Sequence, residues 1–288
     1  MKKLILIDAN ALVHRAFHAL PPLTSPEGMV VNAVYGFTSV LIKAIRDLKP
    51  DYMAAAFDLA GPTFRHEEFE EYKAHRQKAP DELYAQIPLI KDVLRAFGVE
   101  IFEQAGFEAD DLIGSVAEEA KKTKDLQTII LTGDMDTLQL VRDKVKVYTL
   151  RKGMSDTVVY DAEEVKKRFG FGPEKMIDYK ALRGDASDNI PGVPGIGDVT
   201  ASMLIKKYGS IEELYKKLEK SGSKEKLSPK LIEKLTENKD QAFFSKKLAT
   251  IVRDVEIDFS FVRVIQALLS TPTVILPFAR GGRTGVNP

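Results

Sequence analysis

The chain has 288 residues, 44% hydrophobic and 29% charged, ordinary for a folded protein of one large or two smaller domains. Forty-two basic residues balance forty-two acidic ones, so a globally basic surface is excluded. The absence of cysteine excludes a disulfide framework, a thiolate metal site and a catalytic thiol, and no stretch reaches the ~20 apolar residues of a membrane span.

MKKLILIDAN opens with two lysines and a short apolar run that stops at Asp8. A signal peptide needs a longer apolar stretch and a small-residue cleavage site. Residues 3–8 are therefore expected as a buried strand. Residues 33–48 have helical spacing and stop at Lys49-Pro50. Residues 53–58 form a second expected strand, and a polar segment follows over 61–80. The pattern then predicts a helix over 82–97 closed by Gly98, a strand over 99–102 and a helix over 109–122. Strands are expected over 127–134 and 145–150, with a short one over 157–160. This alternation predicts an α/β fold with a doubly wound, mostly parallel sheet. After the core, 1–162, the chain becomes helical and lysine-rich, and a second lobe is expected over 163–261. Residues 262–288 lose periodicity and read as an irregular tail.

Carboxylates cluster where strands should end: Asp8; Asp58; Glu108, Asp110 and Asp111; Asp134 and Asp136; Asp185 and Asp188. Asp178 and Asp198 flank the last group. A single aspartate in such a place is ordinarily a helix N-cap. Repeated at several strand ends, the pattern points to a site, because those ends line one crevice in an open parallel sheet. Carboxylates drawn together repel, and hard divalent cations with oxygen ligands relieve the repulsion.

Two further segments suit a polyanion. Gly192-Val-Pro-Gly-Ile-Gly197, then Thr200-Ala201 and MLIKKY, has the form of a helix–hairpin–helix turn. Glycines let the backbone approach a ligand closely, and amides at the next helix N-terminus can bind a phosphate. An unliganded Gly/Pro turn is the plain alternative. Downstream, residues 203–247 carry twelve lysines, Lys206 and Lys207 among them, against seven acids, a net of +5. Segment 64–78 interleaves Arg65, Lys73, Arg76 and Lys78 with Phe64, Phe69 and Tyr72. That mixture either grips a single strand by phosphate contact and base stacking or is an exposed amphipathic helix. The four histidines, at 14, 18, 66 and 75, lack a nucleophile elbow, and the His14/His18 pair lacks the Glu of a zinc helix.

ILIDANALVHRAFHAL, FDLAGPTFRHEEFEEYKAHR, FEADDLIG, LTGDMDTLQL and KALRGDASDNIPGVPGIG occur in one order between residue 2 and about 260. Together they resemble the 5′-nuclease family: the 5′→3′ exonuclease domain of bacterial DNA polymerase I and the stand-alone flap endonucleases. The resemblance implies a PIN-like α/β core, a helical helix–hairpin–helix lobe of the H3TH type, and cleavage of 5′ flaps, nicked ends and RNA primers. It implies two Mg²⁺ or Mn²⁺ ions on Asp8, Asp58, Glu108, Asp110, Asp111, Asp134, Asp136, Asp185 and Asp188, with a K⁺ at the helix–hairpin–helix turn. It places basic gateway residues at Arg65, Lys73 and Arg76, beside Tyr72, and duplex contacts at Gly192, Gly195, Gly197, Thr200, Lys206 and Lys207. The partners implied are branched or nicked DNA and a DNA polymerase; a monomeric, cytoplasmic, nucleoid-associated bacterial protein is expected. Met135 and Val199 each stand where the family usually has a lysine. No polymerase domain follows in this sequence, so coupling to synthesis needs a separate protein or a longer parent chain.

The chemistry expected is two-metal phosphodiester hydrolysis, with the ions about 4 Å apart. Asp8, Asp58, Glu108 and Asp110, with Asp111 nearby, form the first expected site, and Asp134, Asp136, Asp185 and Asp188 the second. Lys73 and Arg76 are expected to neutralise charge on the scissile phosphate. Two alternatives are a branched-DNA-binding module that has lost catalysis and a PIN-type ribonuclease. The first would have shed carboxylates, and the second would not need the helix–hairpin–helix lobe.

Overall fold

The structure, a computed structural model, describes residues 1–152, 156–221 and 226–259; the tail expected over 262–288 lies outside the described residues. Six strands form one sheet: β1 (Lys2–Asp8), β2 (Tyr52–Ala56), β3 (Glu100–Phe102), β4 (Leu126–Thr132), β5 (Val145–Lys152) and β6 (Asp156–Tyr160). Their order is β3-β2-β1-β4-β5-β6. All neighbours are parallel except β6, which runs antiparallel to β5. The expected doubly wound, mostly parallel sheet is therefore present. β1 pairs with β2 on one side and β4 on the other, so the strand order reverses beside it, at the switch point where crevices open in such sheets.

The helices of the core are α1 (Ala9–Ala19), α2 (Asn32–Leu48), α3 (Phe64–Glu68), α4 (Asp81–Tyr84), α5 (Ile87–Ala96) and α6 (Ala109–Ala120). After them come α7 (Ala162–Phe169), α8 (Met176–Arg183), α9 (Asp198–Tyr208), α10 (Ile211–Ser221), α11 (Pro229–Glu237) and α12 (Lys239–Ala249). β1 is apolar on both faces because both are covered. Ile5 and Ile7 pack with residues of α1, α2 and α5, whereas Leu4 and Leu6 pack with α6. The second cluster continues without a break through Leu182, Leu204 and Leu235, so the helical lobe and the α6 side of the sheet share one core.

Three local outcomes differ from the periodicity. The helix expected over 82–97 is two, α4 and α5. Pro88 sits in the first turn of α5, where a missing amide is tolerated, and Gln86 turns inward between the two helices. Its carboxamide oxygen accepts from the amides of Ala33 and Val34 at 2.8 and 3.2 Å, satisfying the start of α2. β2 and β4 stop at Ala56 and Thr132, two residues short of Asp58 and Asp134. After β4 the backbone turns: the Asp134 amide donates to Thr132 Oγ1 and the Asp136 amide to Asp134 Oδ1, both at 2.8 Å. Segment 64–78 is not one long amphipathic helix. It is α3 followed by tight turns, with Lys73 at φ 56°, and it folds onto the loop after α8 through Lys73 N→Asp188 O at 3.0 Å.

Candidate active site

Asp8 is the last residue of β1 and caps α1, accepting from the Ala11 amide at 3.1 Å. Thr132 Oγ1, at the end of β4, donates to its other oxygen at 2.5 Å. Each oxygen accepts one hydrogen bond and keeps a lone pair. Burial, with the charges of Asp134 and Asp58, outweighs those two bonds and pushes the carboxyl up to about 7. Asp58 ties β2 to neighbouring helices, accepting from the Ala109 amide at 2.7 Å and from Asn10 Nδ2 at 3.1 Å. On the first turn of α6, burial and the charges of Asp8, Asp134 and Asp136 hold Asp110 well above the usual carboxylate range.

These side chains, with Glu108 and Asp134, wall a cavity of about 390 Å³, and Lys73 and Arg76 stand in the same wall. Lys73 Nζ reaches Glu108 Oε1 at 2.5 Å, and Arg76, half exposed, reaches Asp188 Oδ1 at 2.6 Å. Sequence reasoning missed Asn10, His14 and Gln77, which complete the wall. Asn10 and His14 share a face of α1 with the crevice by their i, i+4 spacing from one another, a signal available once Asp8 is taken as its cap.

The remaining expected carboxylates lie beside this cavity. Asp136 and Asp185 share the ammonium of Lys180 on α8, which is 2.6 Å from Asp185 Oδ2. Lys180 was also not singled out by sequence, although it stands five residues before Asp185 in a block already distinctive. Burial alone would raise Asp185, but Lys180 and Ser187 hold it down at about 2. Asp136 is pushed up to about 7 by burial and by Asp134, and Lys180 offsets only part of that. Asp188 is bracketed by Arg76 and by the Tyr72 hydroxyl, 3.2 Å from Oδ2. Among the described residues, no three His, Asp or Glu side chains stand at direct ligating spacing around one point, so an ion here would be held in part through its own water. Lys73, Arg76 and Lys180 pair with carboxylates of this set.

Three expectations are revised. Arg65, expected at the gateway, is 3% exposed, and Asp111, expected near a metal, is 0% exposed. They form a bidentate pair at 2.7 and 2.8 Å behind the crevice. The two Asp111 oxygens also accept from the Val252 and Glu108 amides at 2.9 and 3.1 Å. Four donors fill the roughly four lone-pair positions of a carboxylate, so Asp111 has none to offer an ion. Tyr72 is likewise buried, its hydroxyl 3.0 Å from Glu108 Oε2, and it presents no face to a base.

The helix–hairpin–helix turn joins α8 to α9. Gly192 and Gly195 have φ of 61° and 75°, a region that favours glycine. Gly192 lies against Gly184, and its amide and carbonyl are taken by Ser245 and Gln241 of α12. Gly197 is different: it caps α9 and faces open space. Thr200 follows in the first turn of α9, and Lys206 and Lys207 are exposed in its last turn, where Lys207 lies over the Tyr208 ring. Val199 is 85% exposed beside this start.

A mostly parallel sheet thus carries an acidic crevice at its switch point and joins a helical lobe that holds this turn. The chain belongs to the 5′-3′ exonuclease family: residues 3–170 match its N-terminal resolvase-like domain and residues 171–268 its C-terminal SAM fold. Curated relatives include DNA polymerase I of Bacillus subtilis, 47% identical over 90% of this chain, and that of Caldicellulosiruptor bescii, 45% identical over 89%. The chain spans 29% and 30% of those two proteins. A T5 5′-exonuclease structure with bound zinc is 22% identical, with a TM-score of 0.69 over 86% of this chain and 89% of that one. A bacteriophage T5 flap endonuclease in complex with DNA and metal ions is 19% identical, with a TM-score of 0.71 over the same shares. No helix among the described residues is long and apolar enough to cross a membrane.

Proposed function

We propose that this chain is a metal-dependent 5′→3′ exonuclease and 5′-flap endonuclease acting on branched or nicked DNA and on RNA primers. The observation that carries this reading is the convergence of Asp8, Asp58, Glu108, Asp110 and Asp134, from four separate chain segments, on one cavity faced by Lys73 and Arg76. The donor set fits hard divalent ions: it is all oxygen, and Asp8 and Asp110 are disfavoured as anions without added positive charge. Asp8, Asp58, Glu108, Asp110 and Asp134 would hold Mg²⁺ or Mn²⁺ there, with Asp136, Asp185 and Asp188 as the further carboxylates of a second ion. Bound ions of this kind lower the pKa of water and stabilise a leaving oxygen.

The chain's own residues prepare the rest. Lys73 and Arg76 place two cations at the cavity edge, suited to the charge that develops on a phosphodiester. Asn10 holds Asp58, and Thr132 holds Asp8, so a carboxylate just past β2 and one at the end of β1 stay in the same cavity wall. The exposed start of α9 at Gly197, with Lys206 and Lys207 farther along, suits the phosphates of a duplex held away from the cavity. Nothing among these groups reads base edges, so selection by shape and a steep salt dependence are expected. A K⁺ at the turn, a polymerase as partner, and a monomeric state in the cytoplasm belong to the same proposal. A flap DNA duplex and a single-stranded RNA, compared as substrates in Mg²⁺, test it. Preference for the flap is expected, and preference for the RNA would overturn it in favour of a ribonuclease.

A further inference from the structure

The last two residues of α12 and the extended chain after it lie along α6, whose first turn carries Asp110 and whose cap is Glu108. The attachment is dense. Arg65 Nε donates to Leu248 O at 2.9 Å, and its NH2 donates to Thr250 O at 2.8 Å. Asp111 accepts from the Val252 amide at 2.9 Å, and Ser115 Oγ from the Val255 amide at 3.0 Å. Gln139 bonds both ways, donating to Ala249 O at 3.0 Å and accepting from the Ile251 amide at 2.9 Å. Gly114 makes room for the crossing: a Cβ there would lie 2.8 Å from Ile251 Cγ2 and 2.8 Å from Val252 O. The same Arg65 and Asp111 also touch the crevice, since Arg65 NH1 is 3.2 Å from Glu108 Oε2 and Asp111 holds the Glu108 amide.

We propose that residues 248–255 are a strap that positions Glu108 and Asp110, with Arg65 and Asp111 as the positioning residues that transmit it. A surface segment that merely covered α6 would need apolar contact only. This one engages Asp111, the immediate neighbour of Asp110, and the guanidinium that also reaches Glu108. Displacing the strap should therefore shift the first turn of α6 while leaving the DNA-binding lobe in place. The consequence for catalysis rests on the nuclease reading above; the consequence for the first turn of α6 does not.

Gly114→Ala tests this without touching a crevice residue. It suits an α-helix locally but wedges the strap away. The expected result is a folded protein whose kcat on flap DNA falls at least about tenfold with KM nearly unchanged, as small misplacements of reacting groups produce. Amide exchange at Asp110, Asp111 and Leu112 should quicken while that of β1 stays slow. Gly114→Ala with Ile251→Ala, which removes the contact with Ile251 Cγ2 but keeps that with Val252 O, should recover part of both. Unchanged exchange in the first turn of α6 with the strap displaced overturns the proposal, as does a loss confined to KM. If the unaltered protein cleaves nothing, the nuclease reading fails and the exchange result still decides the strap. Should Gly114→Ala not fold, Gln139→Leu, which cuts both strap bonds from the far side, carries the same two readouts.

Discussion

Replacing Lys180 with methionine should leave two carboxylates facing one another with no cation between them. The Lys180 side chain is 7% exposed, and its ammonium bridges Asp136 and Asp185. Methionine keeps much of the stem, so the charge is the main thing removed. Taking one partner from a buried ion pair costs ~3–5 kcal/mol. Asp136 and Asp185 retain 22% and 12% side-chain exposure, so water relaxes part of the strain and the lower end, ~3 kcal/mol, applies. Asp185 gives an independent figure. Its carboxyl is lowered from 3.8 to about 2 by Lys180 together with Ser187, so at ~1.4 kcal/mol per unit the Lys180 share is at most ~2 kcal/mol. The sign follows from the lowered value: this stability is present above the unfolded value of 3.8 and is lost as pH falls through about 2. Near neutral pH the variant should thus melt ~6–12 °C lower in EDTA, by circular dichroism. Adding Mg²⁺ should raise its melting temperature more than it raises that of the unaltered protein, because a divalent ion can stand where the ammonium stood. A melting temperature within ~2 °C of the original in EDTA would refute the reasoning.

Four further outcomes are expected. In EDTA, Asp8→Asn should stabilise the protein at about pH 8 while abolishing cleavage, because the raised Asp8 group lends stability below 3.8 that is lost as pH rises through about 7; calorimetry at about pH 5 and 8 compares the two. Gly192→Ala should destabilise by more than ~1 kcal/mol, since φ is 61° and a Cβ would sit 2.6 Å from Gly184 Cα. Gly197→Ala, which meets nothing within 4 Å, should melt normally yet bind duplex DNA more weakly by fluorescence anisotropy. Val199→Lys should keep its melting temperature and bind duplex DNA more tightly, with a salt slope steeper by about one phosphate contact.

The sheet and most of the crevice were legible because their causes are local. Short apolar runs closed by Asp8, Asp58 and Asp134 mark both a buried parallel strand and the end at which its side chains converge. The division of carboxylates was not legible. Asp110 and Asp111 are adjacent and chemically alike, yet helical geometry turns one toward Asp8 and Asp134 and the other toward Arg65 and the chain near 252. Only the partner more than a hundred residues away decides which is which. Arg65 was misjudged for the same reason: a basic residue among aromatics looks like a gateway until Leu248 O, Thr250 O and Asp111 claim its donors. Gln86 split a helix whose apolar spacing was continuous, because a buried amide at the start of α2 needed an acceptor that spacing cannot reveal.

The most direct test of the central claim is cleavage of a 5′-labelled flap duplex in Mg²⁺ and in EDTA, beside Asp134→Ala and Asp188→Ala. Release of a short oligonucleotide at the junction is expected in Mg²⁺, lost in EDTA and in both variants. Tight binding of the flap with no cleavage in either Mg²⁺ or Mn²⁺ would contradict it and leave a branched-DNA-binding module.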